Sequence, residues 1–213
     1  MNKTILFLFI AVLMASYAQA QVKFGVRAGA GFTDLWQINE KANLATSTTM
    51  IPGFQAGVIV EYIGGQFGTN SSTGFQTGLL FAKMGGKTSL IGGGERTTNL
   101  NYLQLPLNFV IKRNFSRNAL IGYIGPYFGY AISGKNKTES RTIEVEKDIT
   151  FGTGSDAFMK GFDAGIVVGG GFQFGNFQIA PELKGSLLSL SNYKDVKMTN
   201  IGIFLNVTYL FGR

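Results

Sequence analysis

The residues best suited to chemistry in this sequence are two carboxylates, Asp163 and Glu182, each set within a largely apolar stretch. Two carboxylates enclosed together could share general acid and base roles. Their usual companions are missing. The 213-residue chain contains no histidine and no cysteine. That removes imidazole bases, thiolate nucleophiles, disulfides and the common zinc sites. Cations occur in comparable stretches, at Lys23, Arg27 and Lys184. A ladder of buried charges that neutralise one another is therefore the simpler expectation for Asp163 and Glu182.

Other motifs carry less. Gly92-Gly-Gly94 and Gly169-Gly-Gly171 do not fit the G-x-x-x-x-G-K-[ST] phosphate loop, and neither opens a helical pattern. The first reads as a loop tip, the second as a strand segment where another chain approaches closely. Glu139, Glu144, Glu146, Asp148 and Asp156 lack the spacing of a calcium loop and alternate with Lys135, Lys137, Arg141 and Lys147. A solvated charged loop accounts for them. Lys112, Arg113 and Arg117 crowd one short turn. No residue is assigned a catalytic, cofactor-binding or metal-binding role, and no cofactor is expected.

The elements that must position these side chains have a period of two, the signature of half-buried strands. Val22, Phe24, Val26, Ala28, Ala30 and Phe32 share one face, against Lys23, Gly25, Arg27, Gly29 and Gly31. Phe54, Ala56, Val58, Val60 and Tyr62 oppose Gln55, Gly57 and Glu61. Phe75, Thr77, Leu79 and Phe81 oppose Gln76, Gly78 and Ala82. Leu103, Leu105, Leu107, Phe109 and Ile111 oppose Gln104, Asn108 and Lys112. The run 119–132 is apolar on both sides and cannot be oriented. Phe162 to Phe174, Phe177 to Leu187 and Ile201 to Phe211 alternate again, with Asp163, Glu182, Lys184 and Asn206 on their polar faces.

About eight runs of roughly ten residues suit membrane-crossing strands, which need ~9–11 residues, better than soluble ones of ~5–6. Long polar linkers at 33–50, 85–98, 133–157 and 188–198 alternate with shorter ones at 63–73, 113–118 and 175–176. Long loops on one side and short turns on the other mark a membrane barrel. Aromatics gather at the run ends, where interfacial girdles belong. The polar faces are rich in glycine and poor in charge, which suits a narrow interior and not a wet exterior. The expected fold is all-β: a closed antiparallel up-and-down transmembrane β-barrel of about eight strands.

Residues 1–20 read as a cleaved signal peptide: Lys3, an apolar run at 5–15, and Ala18-Gln19-Ala20 as the cleavage site. The barrel domain then covers 21–213. The expected destination is the outer membrane of a Gram-negative cell.

Several stretches resemble a known family. Asn101-Tyr-Leu-Gln-Leu-Pro-Leu-Asn-Phe109, Gly125-Pro-Tyr-Phe-Gly-Tyr130, Phe162-Asp-Ala-Gly-Ile166 and Gly169-Gly-Gly-Phe172 are similar to motifs of the outer-membrane β-barrel domain common in Bacteroidetes, the family that includes PorT-like proteins. Asn206-Val-Thr-Tyr-Leu-Phe211 resembles the aromatic end read by the barrel-assembly machinery, although Gly212 and Arg213 follow it. The resemblance implies the fold and, through PorT, a link to protein secretion. Lipases, deacylases, palmitoyltransferases and proteases on comparable barrels use a histidine, which this chain lacks.

The leading expectation is a non-enzymatic, membrane-anchored scaffold whose surface loops meet a protein partner. The alternatives are a PorT-like secretion component, a narrow solute channel and, least favoured, a soluble periplasmic lipocalin-like binder. Expected partners are outer-membrane lipid and the assembly machinery. The formal charge is +7, but export and the barrel pattern argue against nucleic acid.

Overall fold

The computed structural model describes residues 21–39, 41, 44–45, 48–90, 94–140, 144–152, 157–193 and 195–211. The expected signal peptide, the glycines at 92 and 93, and Asp156 lie outside the described residues. Among the described residues eleven strands follow in chain order: β1 Gln21–Asn39, β2 Leu44–Ala45, β3 Thr48–Thr49, β4 Ile51–Phe67, β5 Ser71–Ser89, β6 Glu95–Phe115, β7 Asn118–Glu139, β8 Glu144–Asp148, β9 Phe162–Phe174, β10 Phe177–Ser186 and β11 Val196–Phe211. β11, β10, β9, β7, β6, β5, β4 and β1 pair in that order, each antiparallel to the next, and β1 pairs back to β11. The ring of eight is closed. Closure removes the unpaired edges that strands of this length would otherwise expose.

Alternation decides which side chain meets which environment. Phe24, Val26, Phe54, Val58, Phe75, Leu79, Leu105, Leu183 and Leu205 point outward, with Phe24 62% and Leu183 55% exposed. Arg27, Gln55, Gln76, Gln104, Asn108 and Glu182 are buried inside the ring. The soluble lipocalin-like alternative needs the reverse arrangement. Aromatics form a girdle at each end of the outward face. Near the short turns Phe75 packs edge-on against Phe109 (centroids 5.7 Å), and Phe177 meets Tyr209 at a tilt (4.8 Å). At the other end Phe54 meets Phe81 (5.8 Å) and Phe128 meets Phe162 (6.4 Å).

The structure corrects three expectations. First, most of 33–50, 85–98 and 133–148 is strand and not loop. β5 and β6 stay paired out to Ser89–Glu95, and β6 and β7 out to Glu95–Glu139. Polar residues occupy both faces there, so the period-two signal fades while the backbone ladder continues. β8 extends this upper sheet as a hairpin on β7. Secondly, 119–132 has an orientation: Ala119, Ile121, Tyr123, Tyr127 and Ala131 point inward, while Leu120, Ile124, Phe128 and Ile132 point out. Both faces are apolar because bulky inward residues fill the interior at this wall. Thirdly, the interior is not uniformly small and polar. At the long-loop end it becomes a cluster of Leu35, Met84, Leu100, Ile149, Met159, Leu190 and Met198.

The short connections are tight. Ser116 and Arg117 join β6 to β7, and Gly175 and Asn176 join β9 to β10. Two-residue hairpin turns demand positive φ, and Ser116 (57°) and Gly175 (56°) supply it.

Candidate functional site

Alternation sends Arg27, Gln55, Glu61, Gln76, Gln104, Lys112, Asp163, Gln178, Glu182 and Lys184 into one lumen, where they form three layers below a cap. Nearest the short turns, Glu61 of β4 accepts from Lys112 of β6, from Gln76 Nε2 (3.2 Å) and from Gln178 Nε2 (3.1 Å). Lys112 Nζ also donates to Gln173 Oε1 at 2.7 Å. A pocket of about 360 Å³ opens below this layer, lined by Lys23, Glu61, Ser72, Lys112, Asn114 and Gln173 among others.

The middle layer centres on Glu182 of β10. Its Oε2 accepts from Tyr123 OH (2.9 Å) and Arg27 Nη1 (3.5 Å). Its Oε1 accepts from Gln55 Nε2 (2.9 Å), with Lys184 Nζ at 3.4 Å. Lys184 Nζ donates onward to Gln55 Oε1 (2.6 Å) and Gln104 Oε1 (2.9 Å). Arg27 is held further by Thr208 Oγ1 (2.9 Å) and Gln76 Oε1 (2.6 Å). Its guanidinium also lies 5.4 Å from the Tyr123 ring centroid. β1 and β7 stand four strands apart in a ring of eight, so this contact joins opposite walls.

The upper layer is neutral apart from Asp163 of β9. Asp163 Oδ2 accepts from Ser186 Oγ (2.9 Å), Tyr127 OH (3.2 Å) and Asn200 Nδ2 (3.3 Å). Asn200 Nδ2 also donates to Tyr102 OH at 3.1 Å, a bond between β11 and β6, again four strands apart. Above it sits the cap. Residues 149–152 and 157–160 lie at the barrel mouth, where Ile149 and Met159 complete the apolar cluster, with Phe151 packed against it. Their backbone is tied in place by Ile149 N donating to Gly134 O (2.8 Å) and Lys160 N to Leu190 O (2.8 Å).

The expected ladder of charges is present, but its members pair differently. Glu182 joins Arg27 and Lys184 as expected. Among the described residues Asp163 makes no hydrogen bond to Glu182 and no ion pair with a cation. It belongs to a separate layer of hydroxyls and an amide. Lys23 makes no ion pair among the described residues and stands at the mouth of the lower pocket. Lys112 is inside the barrel and not on the basic turn, leaving Arg113 and Arg117 exposed there. Ser186 has a phenol and a carboxylate beside it, and no imidazole exists to take its proton. Among the described residues no group of three or more His, Cys, Asp or Glu side chains is placed to hold a metal ion.

The charged segment expected as a solvated loop is a paired hairpin. Lys137 bridges Glu139 (2.7 Å) and Glu144 (2.8 Å), and Lys135 pairs with Glu146. These exposed pairs lie on the upper sheet, beyond the apolar belt. The hydrogen bond and charge of Lys135 hold the Glu146 carboxyl below its ordinary pKa, and Lys137 does the same for Glu139. Both lysines are raised in return. Pattern reading did not identify the cap. Ile149, Phe151 and Met159 are scattered through a polar stretch without periodicity.

The sequence profile described as "Outer membrane protein beta-barrel domain" matches residues 17–195. No curated protein matches the chain. Among solved structures, Ail, the attachment invasion locus protein of Yersinia pestis, is similar at 16% identity and TM-score 0.37, covering 89% of this chain and 99% of that one. Neisserial surface protein A is similar at 9% identity and TM-score 0.44, covering 90% of this chain and 99% of that one.

Proposed function

The chain belongs to the outer membrane protein β-barrel domain family, and from that premise we propose that it is a non-enzymatic membrane anchor. Its barrel is closed to solutes, and it carries the β7–β8 hairpin above the outer leaflet for a protein partner. One observation carries this reading: opposite walls of the lumen touch, Arg27 against Tyr123 and Asn200 against Tyr102. An eight-stranded barrel is just wide enough for side chains to fill. Two wall-to-wall contacts beneath an apolar cap leave little room for a path. Residues 1–20 serve for export and are removed, so the mature protein starts at Gln21. Final assembly uses the aromatic end of β11.

The test is an epitope inserted after Ser140. The expected protein still migrates as a heat-modifiable barrel in the membrane fraction, and antibody binds the epitope on intact cells. An epitope reached only after lysis would defeat the proposed presentation. The mass of the purified mature chain checks the start at Gln21.

A second reading, a PorT-like secretion component, is favoured by Arg113 and Arg117, both exposed at the short-turn end. Reversal of both charges, Arg113→Glu with Arg117→Glu, then abolishes secretion while the barrel remains assembled. Unchanged secretion removes this reading.

A further inference from the structure

The barrel wall has a low side. β7 runs for 22 residues, β10 for only 10. At about 3.3 Å per residue and a tilt near 40°, β10 rises roughly 25 Å. That matches the apolar band of such barrels, about 25 Å tall. β10 starts in the lower aromatic girdle at Phe177, so the residues after its end at Ser186 stand at headgroup height on the outer side.

Two adjoining pockets occupy this lip. The first, about 520 Å³, has Tyr130, Phe162 and Leu188 among its lining, with Lys160 and Ser189 at its polar end. The second, about 200 Å³, shares Lys160 and Ser189 and adds Asn192, Tyr193 and Lys197. The apolar part continues the outward belt: Tyr130 is 61% exposed and Phe162 50%. No described residue lining either pocket is acidic. Neither Lys160 nor Lys197 forms an ion pair among the described residues. The neighbouring carboxylate, Asp195, is already engaged by Lys41 at 2.7 Å. Lys160 is fixed in place because its backbone N donates to Leu190 O.

We propose that this lip is a binding site for a phosphorylated, acyl-chained lipid of the outer leaflet. An acyl chain lies along Tyr130, Phe162 and Leu188, and the phosphate meets Lys160 and Lys197 with the Ser189 hydroxyl as a hydrogen-bond donor, while Asn192 braces the site by donating to Gly152 O (3.1 Å) and Ala157 O (2.8 Å). Charge complementarity selects the headgroup: two ammonium groups with no carboxylate partner among the described residues face the level at which lipid phosphates lie. The apolar half sets the site apart from one for a free anion.

The test titrates the folded full-length barrel, in zwitterionic detergent micelles, with phosphatidic acid, and counts bound lipid by native mass spectrometry. The expected result is clear preference over phosphatidylcholine and no competition from millimolar inorganic phosphate. Lys160→Ala with Lys197→Ala binds about tenfold more weakly, a loss of roughly 1.4 kcal/mol. Lys160→Arg with Lys197→Arg retains binding, and Lys23→Ala, at the opposite mouth, behaves as wild type. Equal binding of both lipids by the unaltered protein overturns the proposal without any variant. So does displacement by inorganic phosphate, unchanged affinity in the double alanine variant, or an equal loss in Lys23→Ala.

Discussion

Tyr123 lies across Gly169, its direct partner on the neighbouring strand. A Cβ built at 169 would fall 2.2 Å from the ring's Cζ and 2.4 Å from its hydroxyl oxygen. Four residues earlier the arrangement repeats, with Tyr127 over Gly165 and a Cβ there 2.6 Å from Cε1. The bare backbone of β9 is thus the floor on which two tyrosines lie flat enough to reach Glu182 and Asp163.

Gly169→Val is expected to destabilise the barrel by about 1–3 kcal/mol, the usual cost of overpacking. The readout is the urea midpoint in lipid vesicles, followed by heat-modifiable migration. Tyr123→Leu in the same chain recovers part of the loss by clearing the ring. Gly122→Ala serves as the control, because a Cβ there meets nothing within 4 Å. An unchanged midpoint for Gly169→Val contradicts the packing described.

Glu182 is the anion for two buried cations. Glu182→Gln keeps the shape but leaves Arg27 and Lys184 facing each other without a carboxylate. Breaking a buried pair by removing one partner costs about 3–5 kcal/mol. Lys184→Met alongside Glu182→Gln restores the balance and recovers part of that loss. Denaturant midpoints of the two variants check the order. Equal stability of Glu182→Gln and wild type contradicts it.

How far the sequence could be read follows from where each side chain lands. Strands such as β1 and β4 were legible because lipid-facing and lumen-facing residues differ sharply, Phe54 and Val58 against Gln55 and Glu61. β7 was not, because Tyr123 and Tyr127 are as apolar in pattern as Ile124 and Phe128, and only the glycines of β9 reveal which pair is inside. Glu182 was legible as a ladder member from its neighbours Arg27 and Lys184. The isolation of Asp163 was not, since it depends on the register that brings Ser186 and Asn200 beside it. The hairpin beyond Ser133 was hidden for a different reason. With water on both faces, nothing selects an alternating pattern, and the ladder is held by backbone pairing and by Lys–Glu pairs.

Those pairs give the hairpin a pH dependence. Glu139 and Glu146 have pKa values lowered by their lysines, so they contribute above the unfolded value of about 4.3 and cease to as pH falls through the lowered folded values. Lys135 and Lys137 are raised, so their contribution is full below their unfolded value and is lost at strongly alkaline pH. The groups are exposed, so the effect is small and screened by salt. Amide resonances of 135–139 and 144–148 are expected to shift, with a modest weakening of interstrand contacts that high salt reduces, between pH 5 and pH 3, while those of the lumen strands persist. A hairpin unchanged at pH 3 contradicts the assignment.

The central claim is that the filled lumen makes this barrel an anchor and not a pore, and current through single molecules in a planar lipid bilayer tests it most directly. The expected result is a trace indistinguishable from bare bilayer with the folded wild-type protein inserted. Steady, reproducible unitary currents from that same protein would contradict it.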